Sequence, residues 1–104
     1  MDPIAPGALV MIVEDEPDLS RLEEFNLRQA GFEVQVAATA REFFELFANG
    51  RPHVVILDLM LPDLSGVEVC RRIRADSRND SVAVLVASAR GDEYERCSAR
   101  IEEP

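Results

Sequence analysis

Four polar residues each follow a short apolar run of the sequence and could share one site. They are Glu14, Asp15, Asp58 and Ser88. If the runs are parallel strands of one open sheet, their carboxyl ends meet at the edge where such folds bind ligands. Converging carboxylates repel each other, and Mg²⁺ prefers one or two carboxylates together with water and phosphate oxygens. A carboxylate held against such a cation can also attack phosphorus, so the pattern predicts a metal and phosphate site.

Each of these residues also has a simpler interpretation when it is considered alone. An Asp after a strand commonly caps a turn or a helix, and acidic residues before a helix complement the positive end of its dipole. Ser88 alone fits an ordinary turn hydroxyl. The metal hypothesis therefore depends on the fact that all four residues lie at the same end of the predicted sheet.

The spacing of apolar residues predicts four strands with helices between them. Continuous apolar runs, typical of strands buried on both faces of a parallel sheet, cover residues 8–13, 54–57 and 82–87. Residues 32–36 alternate as a half-exposed strand. The alternation of strand and helix predicts an α/β fold, a doubly wound parallel sheet with the flavodoxin-like order 2-1-3-4.

Local signals mark where the three helices begin. Pro17 is suited to the first position of a helix, and Thr39 and Ser65 each precede a Glu by three residues, as in a capping box. Leu19, Leu22 and Phe25 follow Pro17 at spacings that predict the buried face of the first helix.

The composition excludes several classes of function. With 104 residues there is room for one domain, which we expect at 8–104 after a flexible arm at 1–7. Twenty acidic residues against eleven basic ones give a net charge of −9, which disfavours nucleic acid and anionic membranes as partners. No apolar run approaches the roughly 20 residues that span a bilayer. Two widely spaced cysteines indicate neither a zinc site nor a disulfide scaffold, and we expect a cytoplasmic protein.

Three segments of the sequence resemble the receiver domain of response regulators in two-component signalling, of the chemotaxis-receiver type. They are residues 13–17, 56–66 and 87–91. They occur in the order found in that family, and the resemblance covers about residues 8 to 95.

The resemblance implies a role for each candidate site residue. Asp58 would accept a phosphoryl group and, together with Asp15, bind Mg²⁺ or Mn²⁺, and Glu14 would bind the cation through water. The main-chain carbonyl of Met60 would complete the protein ligands, and Ser88 would sense the phosphoryl group. The phosphodonor would be a histidine kinase, a phosphotransfer protein or a small molecule such as acetyl phosphate. Such a domain is a phosphoacceptor that assists its own phosphorylation and dephosphorylation rather than an enzyme.

The sequence departs from the family's pattern after Ser88. The family continues with a helix, a fifth strand that ends in a Lys, and a fifth helix, whereas this chain has no Lys. Residues 91–104 begin like the fourth helix of the family, with Tyr94, Cys97 and Ile101 at helical spacing, and the sequence then ends at Pro104. We therefore expect a receiver truncated at Pro104, with impaired phosphorylation because a stabilising cation is lacking. Its fourth strand would be an uncovered edge that favours a homodimer.

Two other functions remain open from the sequence. The chain could be a degenerate receiver that serves as a phosphorylation-independent interaction or dimerisation module. It could also be a hydrolase with an aspartyl nucleophile, although that chemistry usually needs a second Asp where this chain has Met60. His53 has no partner nearby in sequence, and we expect a structural or surface role for it.

Overall fold

The computed structural model describes residues 7–58 and 60–87 and the backbone of Tyr94–Arg96. The strands are β1 (Leu9–Val13), β2 (Glu33–Ala37), β3 (Val54–Leu57), β4 (Ala83–Ala87) and β5 (Tyr94–Arg96). The helices are α1 (Pro17–Gln29), α2 (Ala40–Asn49) and α3 (Gly66–Arg74), and a 3-10 turn covers Ser77–Asn79. In these ranges, no helix combines the length and the apolar character that crossing a membrane requires.

The five strands form one sheet in the order β2-β1-β3-β4-β5. The first four are parallel to one another, and Val13 of β1 lies between Ala37 of β2 and Leu57 of β3. The predicted α/β fold and the order 2-1-3-4 are confirmed. The carboxyl ends of β1 and β3 therefore lie side by side, which is what the predicted site requires.

The short strand β5 corrects two expectations. It pairs antiparallel with β4, with Tyr94 opposite Ala87 and Arg96 opposite Leu85. The predicted helix is therefore wrong at these residues, because pairing with the free backbone groups of β4 outweighs a weak helical spacing. The edge of β4 is also not uncovered from Leu85 to Ala87, which removes the reason for expecting a homodimer there.

Each face of the sheet has its own apolar cluster. Helices α2 and α3 cover one face, where the fully buried side chains include Met11, Val13, Phe43, Val55, Leu57, Val69, Ile73 and Val84. Helix α1 contributes Leu27 to the other face, against Val10, Ile12, Val34 and Val54. Because β1 and β3 are buried on both faces, their sequences are continuously apolar rather than alternating.

The buried face of α1 differs from the prediction. Leu22 and Phe25 are 57% and 60% exposed, and Leu19 is 42% exposed. The helix instead buries Ser20, and Leu27, two turns further on, packs against the sheet. One contact that fixes this rotation joins α1 to β2, since the Arg28 guanidinium donates a hydrogen bond to the Val34 carbonyl at 2.8 Å.

The helices begin where the sequence signals predicted. Pro17 opens α1. The Thr39 hydroxyl accepts a hydrogen bond from the Glu42 amide, and the Ser65 hydroxyl accepts one from the Glu68 amide, each at 3.1 Å. These caps satisfy amide groups that have no partner inside a helix, so they set the first turns of α2 and α3.

One of the two cysteines lies within the described residues. Cys70 is buried in the core on α3, while Cys97 lies outside them. The expectation of neither a zinc site nor a disulfide scaffold therefore stays a prediction.

Two substitutions of the same type test the assignment of core and surface. Phe43 is fully buried and its ring contacts those of Phe44 and Phe47, with centroids 5.0 Å and 5.3 Å away. We expect Phe43→Ala to lower the free energy of unfolding by ~3–5 kcal/mol, measured by urea denaturation. Phe25→Ala on the exposed face of α1 should change it by less than ~0.5 kcal/mol. Equal losses from the two variants would contradict the assignment.

Candidate metal centre

The ends of β1 and β3 are fixed by backbone hydrogen bonds that continue the sheet. The Glu14 amide donates to the Ala37 carbonyl at 2.9 Å, and the Asp58 amide donates to the Val13 carbonyl at 2.9 Å. Glu14 and Asp58 are each the first residue after a strand, and the amide of each is thus held by the neighbouring strand. The placement of these side chains follows from strand register and not from a flexible loop.

The structure brings three of the candidate side chains together. Glu14, Asp15 and Asp58 each offer a carboxylate oxygen, and these three atoms all lie within 4.8 Å of one another. Their accessibility is graded, since Glu14 is buried, Asp58 is half-buried and Asp15 is exposed. The cluster is therefore open to solvent on one side and closed by the sheet on the other.

The pKa of Glu14, the buried member of the cluster, is raised by its surroundings. It rises from 4.5 to about 7, chiefly because of burial and also because of the negative charges of Asp58, Glu23 and Asp15. A hydrogen bond from the Glu16 amide, 3.0 Å from the Glu14 carboxylate, acts in the opposite direction and lowers this pKa. At neutral pH, Glu14 is thus divided between its protonated and ionised forms.

The donor set fits a hard divalent cation. Three carboxylates provide oxygen ligands only, which is the preference of Mg²⁺ and Mn²⁺ over softer metals. A cation at this point would also favour the ionised form of Glu14, against the burial and the repulsion that raise its pKa. The residues present therefore suit the metal that the sequence predicts.

The loop after β3 carries the fourth expected ligand. The Met60 amide lies 3.4 Å from an Asp58 carboxylate oxygen, as a donor to it. Met60 also pairs with Ser65 in an isolated antiparallel bridge, and its side chain is 75% exposed. The backbone of Met60 is thus close to the cluster, and the role of its carbonyl stays a prediction.

The remaining candidates lie away from the cluster or outside the described residues. Ser88 belongs to the latter group, so its role as a phosphoryl-sensing hydroxyl stays a prediction. His53 is exposed, and its Nδ1 accepts a hydrogen bond from the Leu9 amide at 3.1 Å. That contact is a structural role, as the sequence indicated.

Sequence reasoning missed Asp63, which lies in the same loop. Its two carboxylate oxygens accept hydrogen bonds from the amides of Ala40 and Arg41, each at 3.0 Å. These bonds hold the pKa of Asp63 below its usual range. The contact joins residues 22 and 23 positions apart, and an Asp after Pro62 gives no local signal for so distant a partner.

The raised pKa of Glu14 makes a prediction about stability in the absence of divalent cations. Between about pH 4.5 and 7 the folded chain retains a proton on Glu14 that the unfolded chain has released, so stability falls as pH rises through this range. We expect Glu14→Gln to flatten this slope in urea denaturation measured from pH 4 to 8 with a chelator present. A slope that is the same in Glu14→Gln and in the unsubstituted chain would show that Glu14 does not titrate in this way.

Comparisons with known proteins point to one family. A family model described as the response regulator receiver domain matches residues 10–101. Over 87 residues the chain is 39% identical to the phosphate regulon transcriptional regulatory protein PhoB of Rhizobium meliloti, covering 84% of this chain and 38% of PhoB. It is 38% identical over 82 residues to the DNA-binding dual master transcriptional regulator RpaA of Synechocystis, covering 79% of this chain and 34% of RpaA. The chain thus spans less than two fifths of each regulator.

Solved structures give the same result for the fold. The chemotaxis response regulator CheY4 of Vibrio cholerae matches with a TM-score of 0.75 and 27% identity, covering 80% of this chain and 71% of that one. The Saccharomyces cerevisiae co-crystal structure of the histidine phosphotransfer signaling protein Ypd1 with the receiver domain of the response regulator Ssk1 matches with a TM-score of 0.71. That alignment has 26% identity and covers 83% of this chain and 68% of the matched chain.

Proposed function

Since the chain belongs to the receiver-domain family of response regulators in two-component signalling, we propose that Asp58 accepts a phosphoryl group in a reaction dependent on Mg²⁺ or Mn²⁺. The observation that supports this most directly is the convergence of Glu14, Asp15 and Asp58, with carboxylate oxygens within 4.8 Å. Asp58 is the half-buried member of the three, which leaves it accessible to a phosphodonor while its backbone is held by β1.

The three carboxylates would bind the cation in different ways. We propose that Asp15 and Asp58 bind it directly, that Glu14 binds it through water, and that the Met60 carbonyl contributes a main-chain oxygen. The cation would neutralise the cluster and stabilise negative charge on the transferring phosphoryl group. Glu14, which is partly protonated at neutral pH, would then become fully ionised.

The chemical step needs only one nucleophile from this chain. A carboxylate oxygen of Asp58 forms a bond to phosphorus as the bond between phosphorus and the donor breaks, and the leaving imidazole or acetate departs with the electron pair. The 104 residues contain no Lys, so no lysine ammonium among them pairs with the phosphorylated Asp58. In this scheme the chain is a phosphoacceptor in signalling and not an enzyme with a turnover of its own.

The partners follow from the same chemistry. The receiver of Ssk1 was crystallised with a histidine phosphotransfer protein, which supports a histidine kinase or a phosphotransfer protein as the donor. We propose that the phosphorylated chain signals to a partner or to an output domain. The regulators that it matches are more than twice as long as this chain, which leaves room in them for an output domain. With a net charge of −9, the chain itself is unsuited to direct contact with nucleic acid or an anionic membrane. We propose a cytoplasmic location, where kinases that use ATP act.

A second candidate is a receiver-like module that binds partners without being phosphorylated. The absence of Lys from these 104 residues is consistent with it, because a lysine ammonium would stabilise the phosphorylated state. Retention of all three carboxylates argues against it. Binding of Mg²⁺ without any uptake of a phosphoryl group would select this candidate.

Phosphorylation can be tested by intact-protein mass spectrometry. We expect the chain to gain the mass of one phosphoryl group on incubation with acetyl phosphate and Mg²⁺, and to gain none when a chelator is present. Asp58→Asn should abolish the gain, because an amide oxygen is not the required nucleophile.

Asp18→Asn is the matched control for this experiment. Asp18 is 93% exposed on α1 and lies 3.9 Å from Arg21, outside the cluster, so this variant should be phosphorylated like the unsubstituted chain. A mass gain that persists in Asp58→Asn, or no gain in the unsubstituted chain, would contradict the proposal.

A further inference from the structure

The β3–α3 loop is tied at one point to a helix that is distant in sequence. The loop begins at the candidate phosphoacceptor Asp58 and ends at Ser65, the N-cap of α3. Between them, Asp63 extends its carboxylate to the first turn of α2, where it accepts hydrogen bonds from Ala40 and Arg41 at 3.0 Å each. Two bonds from one carboxylate fix its orientation as well as its position.

Helix α2 does not depend on Asp63 alone for its cap. Thr39 already accepts a hydrogen bond from the Glu42 amide at 3.1 Å, and the Glu42 side chain accepts one from the Ala38 amide at 2.7 Å. Asp63 adds two bonds to the two preceding amides, and its charge complements the positive end of the helix dipole. The contact therefore joins a helix whose start is already fixed to a loop that carries the metal centre.

The same loop holds the groups that must meet the cation. Asp58 is anchored by its amide to Val13 at 2.9 Å, and its carboxylate accepts from the Met60 amide at 3.4 Å. Met60 is then paired with Ser65 across the loop. Asp63 lies inside the segment closed by that pairing, three residues after Met60.

We propose that Asp63 is a positioning residue for the metal centre, holding the β3–α3 loop so that Met60 and Asp58 stay placed for the cation. The inference rests on the proposed function, because it concerns how the same site is kept in order. It assigns to Asp63 no contact with the cation or the phosphoryl group. Loss of a residue that orients metal ligands typically weakens metal binding ~10–100-fold.

Calorimetric titration with Mg²⁺ separates positioning from simple helix capping. Asp63→Ala and Thr39→Ala each remove a cap from α2, but only the first releases the loop. Both variants should lower the urea midpoint, whereas only Asp63→Ala should weaken Mg²⁺ binding, by at least ~10-fold. Asp63→Asn keeps one acceptor oxygen and should give an intermediate dissociation constant. It also provides the measurement if Asp63→Ala does not fold.

Each outcome of the titration has a defined meaning. Unchanged Mg²⁺ binding in Asp63→Ala and Asp63→Asn, or equal weakening in Thr39→Ala, would overturn the inference and leave the proposed function intact. An unsubstituted chain that binds neither Mg²⁺ nor Mn²⁺ would overturn both. The positioning role would be supported if Mg²⁺ binding weakens only in the Asp63 variants while the urea midpoint falls as much in Thr39→Ala as in Asp63→Ala.

Discussion

Mutual repulsion among carboxylates at the ends of β1 and β3 is the constraint on which the rest of the structure depends. Three carboxylate oxygens within 4.8 Å oppose one another, and this repulsion adds to the effect of burial, which is the main cause of the raised pKa of Glu14. The sheet resists this repulsion because β1 and β3 are buried on both faces. Backbone hydrogen bonds to Ala37 and Val13 hold the acidic residues at the edge of the sheet. The folded core thus keeps the carboxylates close together, where a cation would neutralise them.

Much of the fold and part of the site follow from local sequence. Continuous apolar runs predicted the parallel strands, and Thr39 and Ser65 predicted where α2 and α3 begin, because capping uses residues within one turn. The meeting of Glu14 with Asp58 was predictable for a different reason. Parallel neighbouring strands place their carboxyl ends at one edge, so the strand order alone determines which polar residues converge.

The features that sequence did not predict all depend on distant contacts. The strand Tyr94–Arg96 forms because β4 offers free backbone groups, which no local spacing of apolar residues reveals. The rotation of α1 leaves Phe25 exposed, and it depends on contacts with β2 such as that of Arg28 with Val34. Asp63 looks like a turn residue until the fold brings the start of α2 against it. In each case the competing local signal was real but weaker than a tertiary interaction.

A crystal structure grown with saturating Mg²⁺ tests most directly whether the acidic edge is a cation site. We expect one ion bound to oxygens of Asp15 and Asp58 and to the Met60 carbonyl, at about 2.0–2.1 Å, with Glu14 joined through water. Water molecules should fill the remaining octahedral positions, leaving room for a phosphoryl oxygen. A cluster without the ion at saturating Mg²⁺, or an ion bound elsewhere on the chain, would contradict the assignment of this edge as the metal centre.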